Sequence, residues 1–160
     1  MQAGEGTMGR QAGFTLVWAL AALAILAAGL SVVGPLWAER ARRDREADIL
    51  RYGQAYALAI AAYRQATPGG IQQYPNSLNE LLIDRRFIGT RRHLRRLYPD
   101  PLDPQRPWGL IRESGGGIRG VYLQSSLKPL RREAVALGAV FLPAAWRYDQ
   151  WHFVAQEPSP

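Results

Sequence analysis

The sequence predicts an α+β protein: one long N-terminal helix, membrane-spanning in its first half, with the second half packed on a small antiparallel β-sheet domain. Three observations predict it. Phe14 to Ala38 holds 25 residues without a charge. From Glu39 the pattern turns amphipathic at helical spacing and stops at Thr67-Pro68-Gly69-Gly70. Beyond that, short runs on either side of a triple glycine read as hairpin strands.

Met1 to Gly13 is polar and glycine-rich, with Arg10 its only basic residue. It lacks the apolar core of a secretory signal peptide and reads as a leader, 1–13, whose apolar part lies beyond it. A start at Met8 would shorten it to Met8-Gly9-Arg10-Gln11-Ala12-Gly13. The next segment, 14–38, reads as the transmembrane helix: at ~1.5 Å per residue it covers roughly 37 Å, enough for a ~30 Å hydrocarbon core. Ala24 and Ala28, amid Ala19, Ala21, Ala22 and Ala27, either permit close helix approach in lipid or simply favour helix. Pro35 cannot donate to the Ser31 carbonyl, so a kink or local melt is expected there.

Residues 39–160 make the globular domain, which includes the second half of the long helix. Glu39–Arg43, Arg40–Asp44 and Arg42–Glu46 are opposite-charge pairs at i,i+4, each worth a few tenths (~0.2–0.5) of a kcal/mol. Ile49, Tyr52, Tyr56, Ile60 and Tyr63 recur at steps of three and four, an amphipathic face that must pack on something. Tyr74 to Leu82 predicts a second, short helix, with Ser77 and Glu80 as a capping box and Leu78, Leu81 and Leu82 facing inward. Leu97-Tyr98-Pro99-Asp100-Pro101 is a rigid turn. Trp108–Glu113 and Ile118–Gln124 are expected to pair through Ser114–Gly117, and Tyr148 with Trp151–Ala155 to close the sheet. Ala134 to Trp146 is unusually apolar and has no clear period.

The soluble part can bury one core. With no Cys, disulfides and thiolate metal sites are excluded, and the redox compartment is left open. The net charge of +7 comes from Arg, 19 of the 20 basic residues, with Lys128 the single Lys. Arg85, Arg86, Arg91, Arg92, Arg95 and Arg96, with His93, form the densest basic stretch. It reads either as a phosphate track or acidic-partner surface, or as a solvated basic loop; Phe87 and Tyr98 flank it as stacking platforms or as core anchors.

No catalytic constellation emerges. His93 and His152 have no metal-ligand spacing, Ser125 and Ser126 lie in no nucleophile elbow, and Gly115–Gly117 fits a hairpin turn better than a phosphate loop. Asp100, Asp103 and Asp149 fall short of the oxygen cluster that calcium needs. The sequence therefore points to no enzyme, no metal and no cofactor.

The junction Gly13-Phe14-Thr15-Leu16, at the head of a single apolar helix, resembles the processing site of the type IV pilin and type II secretion pseudopilin superfamily. Pro35, 21 residues past the junction, is similar to a proline common in that family's first helix. Tyr-Pro-x-Ser-Leu-x-x-Leu at Tyr74–Leu81, then Tyr98-Pro99-Asp100-Pro101, Trp108 and Gly120-Val121-Tyr122, resemble major (G-type) pseudopilins, which also lack disulfides. The resemblance implies a pilin-like fold, cleavage after Gly13 by prepilin peptidase and N-methylation of Phe14. It also implies assembly with other pseudopilins or pilins through helix packing. The expected location is the bacterial inner membrane, single-pass, with the domain in the periplasm. Arg40, Arg42, Arg43, Arg45 and Arg51 oppose that topology by the positive-inside rule. The family's Glu at the fifth mature residue is Trp18 here, which cannot pair with a neighbour's amino terminus and so points to a minor, tip or specialised subunit. The alternative is a minor pilin that binds nucleic acid through the Arg85–Arg96 stretch during DNA uptake.

Overall fold

The computed structural model describes residues 9–70 and 72–156; most of the segment expected to be a leader, 1–13, lies outside them. The chain is α+β, with a long apolar N-terminal helix followed by two small antiparallel sheets. It divides into two compact units, Met1–Arg42 and Arg43–Pro160.

The described residues of the first unit are helical. Helix α1 (Gly9–Gln65) begins before Gly13 and runs on through Gly13 and Phe14. Side chains from 13 to 29 and from 34 to 42 are all exposed. Apolar residues point to every side of this stretch, as they do in a helix surrounded by hydrocarbon. It is long and apolar enough to cross a membrane. α1 runs through Pro35 without interruption, so the expected melt is not there. A missing N–H removes one ladder bond and leaves the turns on either side in place.

The second unit is built on the later turns of α1. Ile49, Tyr56, Ile60 and Tyr63 are buried along the predicted stripe, and Tyr52 is half-buried beside them. Gly53 lies on the same face, where any Cβ would overlap the Phe153 ring. That glycine lets the helix backbone close onto the sheet. Strand β1 (Gly109–Arg112) pairs antiparallel with β2 (Ile118–Tyr122), with a bulge between Ile111 and Arg112. The turn is held by Gly116 N–H donating to Glu113 O at 2.8 Å, and Gly116 has φ +87°. β2 pairs on its other edge with β5 (His152–Phe153), within the expected last strand, but Tyr148 is not part of it and lies in a separate 3₁₀ turn, Tyr148–Gln150. The apolar stretch without a period is a second hairpin, β3 (Val135–Leu137) and β4 (Val140–Leu142). An isolated Val140–Ala155 bridge ties it to the end of β5.

The short helix predicted over Tyr74–Leu82 is a single 3₁₀ turn, Leu78–Leu81. Ser77 Oγ accepts from Asn79 N–H, but Glu80 does not complete a capping box. Its Oε2 accepts instead from Asn76 N–H at 3.2 Å and from Tyr63 O–H at 2.7 Å. Glu80 is thus spent on fastening this segment to α1. The helix then ends because Leu81 O takes the N–H groups of His93 and Leu94, and Asp84 N–H goes to Arg91 O. Of the inner face, Leu81 is buried and Leu78 and Leu82 pack at its margin.

The core is aromatic. Trp108, Trp151, Phe153 and Tyr56 are buried, and Tyr98 stacks on Tyr52 with centroids 4.5 Å apart. Tyr56 O–H donates to Tyr98 O at 2.9 Å and accepts from Tyr98 N–H at 2.8 Å. Tyr98 is thus a core anchor, and Pro99–Pro101 follows as a turn in which Asp100 Oδ1 accepts from Leu102 N–H at 2.7 Å.

Candidate functional site

Gly13 and Phe14 sit inside a helix, where they would be reached by any partner that approaches the chain from the side. Nothing approaches the Cβ position of Gly13 within 4 Å, and Phe14 is 67% exposed. Trp18, one turn on, lies edge-to-face with Phe14 at 6.4 Å. Phe14 and Trp18 make an open apolar surface beside Gly13.

The arginine stretch divides. Arg85, Arg91, Arg92, Arg95 and Arg96 are exposed. Arg91 lies over the Phe87 ring at 4.7 Å and Arg96 over Tyr98 at 5.3 Å, so two of the five are braced against aromatic faces. Arg86 does not belong with them. Its guanidinium donates to both oxygens of Asp84, to Thr67 Oγ1 and to Tyr63 O, and covers the Tyr63 ring at 3.5 Å. His93 also turns inward, its Nε2 lying 3.0 Å from Asp84 Oδ2. The basic surface is therefore five guanidiniums around a fixed internal ion pair.

Asp84 is the centre of that pair, with no side-chain exposure. Hydrogen bonds from Arg86 hold its carboxyl well below the usual carboxylate range, against the opposing effect of burial, with His93 adding to the downward shift. Tyr63 is pushed above its usual range, chiefly by burial and then by its hydrogen bond to Glu80. Asp100 moves the other way from Asp84: burial raises it, and its Oδ2 is enclosed with no hydrogen-bond partner among the described residues.

Glu46 is a second anchor. Expected to pair with Arg42 on the helix surface, it is 3% exposed and faces the domain. Its carboxylate accepts from Leu130 N–H at 2.6 Å, Arg131 N–H at 3.1 Å and Tyr148 O–H at 2.8 Å. The signal was available, since Glu46 stands three residues before Ile49 on the buried stripe. Asp84 gave a similar one as the sole acid in a basic run.

A cleft of about 1220 Å³ is lined by Arg64, Tyr74, Glu113, Arg119, His152 and Gln156 among others. Its described lining brings no Ser, Thr or Cys to His152, which packs against the Tyr122 ring. Among the described residues no three His, Cys, Asp or Glu side chains converge to hold a metal.

Compared with known proteins, the chain matches no family model, no curated protein and no solved structure.

Proposed function

We propose that the chain is a pseudopilin-like structural subunit of a type II secretion system or related pilus machine, and not an enzyme. In this reading prepilin peptidase cuts after Gly13, and Phe14 becomes the methylated N-terminus. The segment 14–38 holds the protein in the bacterial inner membrane, with residues 39–160 in the periplasm. Other pseudopilins or pilins then pack against the same helix.

The observation that carries this reading is the uncovered apolar surface that begins at the residue after Gly13. Phe14, Leu16, Val17, Trp18, Leu20, Leu23, Ile25 and Leu26 are all more than half exposed. Each side chain of this kind gains about 1.5–3 kcal/mol on leaving water. Such a surface needs lipid first and neighbouring helices afterwards, and a single-pass subunit that later bundles meets both needs. Trp18 removes the charge pairing that would fix register along a long filament, which favours a minor or tip position.

Intact mass of the membrane-extracted protein from its own cells tests the reading. The expected species begins at Phe14 and carries one added methyl group. Full-length protein in cells with active prepilin peptidase rejects it.

The five exposed arginines favour a second reading, a minor pilin that captures DNA. DNA affinity would then fall steeply with salt and drop on replacing Arg91, Arg92, Arg95 and Arg96 together. Binding that ignores both changes rejects it.

A further inference from the structure

A second basic surface is formed by segments other than the Arg85–Arg96 stretch. It consists of residues 127–132 with Trp146 and Arg147. Leu127 is 60% exposed and Trp146 66% exposed, with Leu130 also open to solvent. Between them stand Lys128, Arg131 and Arg132, all exposed, with Glu133 the adjacent exposed acid in the chain. The segments are fixed to each other, since Tyr148 N–H donates to Leu127 O at 3.1 Å and Arg132 lies over the Trp146 ring at 5.3 Å. Arg147 is partnered by Asp149, and Arg131 is 3.8 Å from Glu46, so Lys128 and Arg132 carry most of the outward charge.

We propose that this surface rests on a layer of anionic lipid headgroups. An exposed indole and leucines among lysine and arginine is the chemistry of a polar–apolar boundary, where Trp is enriched and each basic side chain is drawn to anionic lipid. The fastening at Glu46 adds a limit on distance. Glu46 binds Leu130 and Arg131 directly. It follows Ala38 by eight residues (46 − 38), so the chain alone keeps it within about 28 Å of the apolar segment even if fully extended. The Arg85–Arg96 stretch is fastened through Arg86 to Tyr63 and Thr67, and has no comparable tether.

The proposal rests on segment 14–38 being in the bilayer, and the test separates the two claims. The chain has no Cys, so one cysteine can carry a fluorophore. Full-length Leu127→Cys, Ile88→Cys and Leu26→Cys are reconstituted in vesicles with nitroxide-labelled lipids. Vesicles contain phosphatidylglycerol or phosphatidylcholine alone. Leu26 should be quenched by acyl-chain nitroxide in both, and Ile88 by headgroup nitroxide in neither. Leu127 should be quenched by headgroup nitroxide at least about threefold more in the anionic vesicles, an excess that K128Q/R132Q removes. A quenched Leu26 with Leu127 no different from Ile88 overturns this proposal alone. An unquenched Leu26 overturns the membrane reading beneath it. Shielding of Leu127 that follows protein density rather than lipid charge makes the occupant a second copy and also overturns it.

Discussion

The two halves of α1 are both rich in apolar residues, yet they are treated in opposite ways. Between Phe14 and Trp37 every described side chain is exposed, and apolar groups point in all directions. From Glu46 to Tyr63 one stripe is buried, against Trp108, Trp151, Phe153 and Tyr98. The difference is one of period, not of hydrophobicity. A single stripe can be covered by one small sheet; a helix apolar all round needs a surrounding medium. The first half therefore has to be completed from outside the chain, and the second half is completed within it.

Substitutions should separate the halves. Trp151→Ala removes a fully buried indole and should cost the domain about 3–5 kcal/mol in denaturant unfolding, with membrane integration unchanged. Leu23→Arg should do the reverse: about 3 kcal/mol against insertion, read as extractability by alkaline carbonate, with the domain's unfolding midpoint unmoved. Equal damage to both readouts from either change would break the comparison.

Within the second unit, the carboxylates should rank by what they hold. Asp84→Ala strands Arg86 and should cost about 3 kcal/mol. Glu46→Ala leaves two backbone N–H groups and a phenol without their acceptor and should cost about 2–3 kcal/mol. Asp48→Ala, which loses only an exposed pair with Arg51, should stay within about 0.5 kcal/mol. Arg86→Ala and Arg92→Ala should differ in the same sense, since Arg92 is exposed and Arg86 is built into the core's edge.

The smallest effects are in pH. Asp84 has a folded pKa below its unfolded one, so its stabilisation is complete above the ordinary carboxylate value of about 3.9 and is lost as pH falls through the folded pKa. Asp100 is raised, so the fold binds its proton more tightly than the unfolded chain, and stability from this group grows as pH falls from neutral toward the ordinary value. In unfolding measured from pH 7 to pH 3, Asp84→Asn should flatten the acid loss. Asp100→Asn should gain most near neutrality, where the native carboxylate is least comfortable.

Patterns with a period were legible in the sequence. The stripe Ile49–Tyr63, the stop at Thr67–Gly70 and the hairpin around Gly116 all rest on local spacing that leaves few alternatives. Pairings set by distant chain were not. Val135–Leu142 alternates too briefly to announce a hairpin, and Ser77 with Glu80 looks like a helix start until Tyr63 claims the glutamate. Arg86 and His93 look like their exposed neighbours as basic residues; buried Asp84 pairs with both, and Arg86 also reaches Tyr63 and Thr67 on distant chain. Glu46 followed an i,i+4 rule worth a few tenths (~0.2–0.5) of a kcal/mol, which three converging donors easily outweigh.

The contrast between the halves is open to direct measurement in cells. Single cysteines introduced along α1 of the Cys-free chain, one position at a time, are challenged with a membrane-impermeant maleimide. Positions 16–36 should be uniformly unreactive, whereas positions 46–64 should alternate between shielded and reactive with a helical period. Reactivity that rises and falls with that period across 16–36 would contradict the account, because it would mean that a protein face, and not lipid, covers the first half.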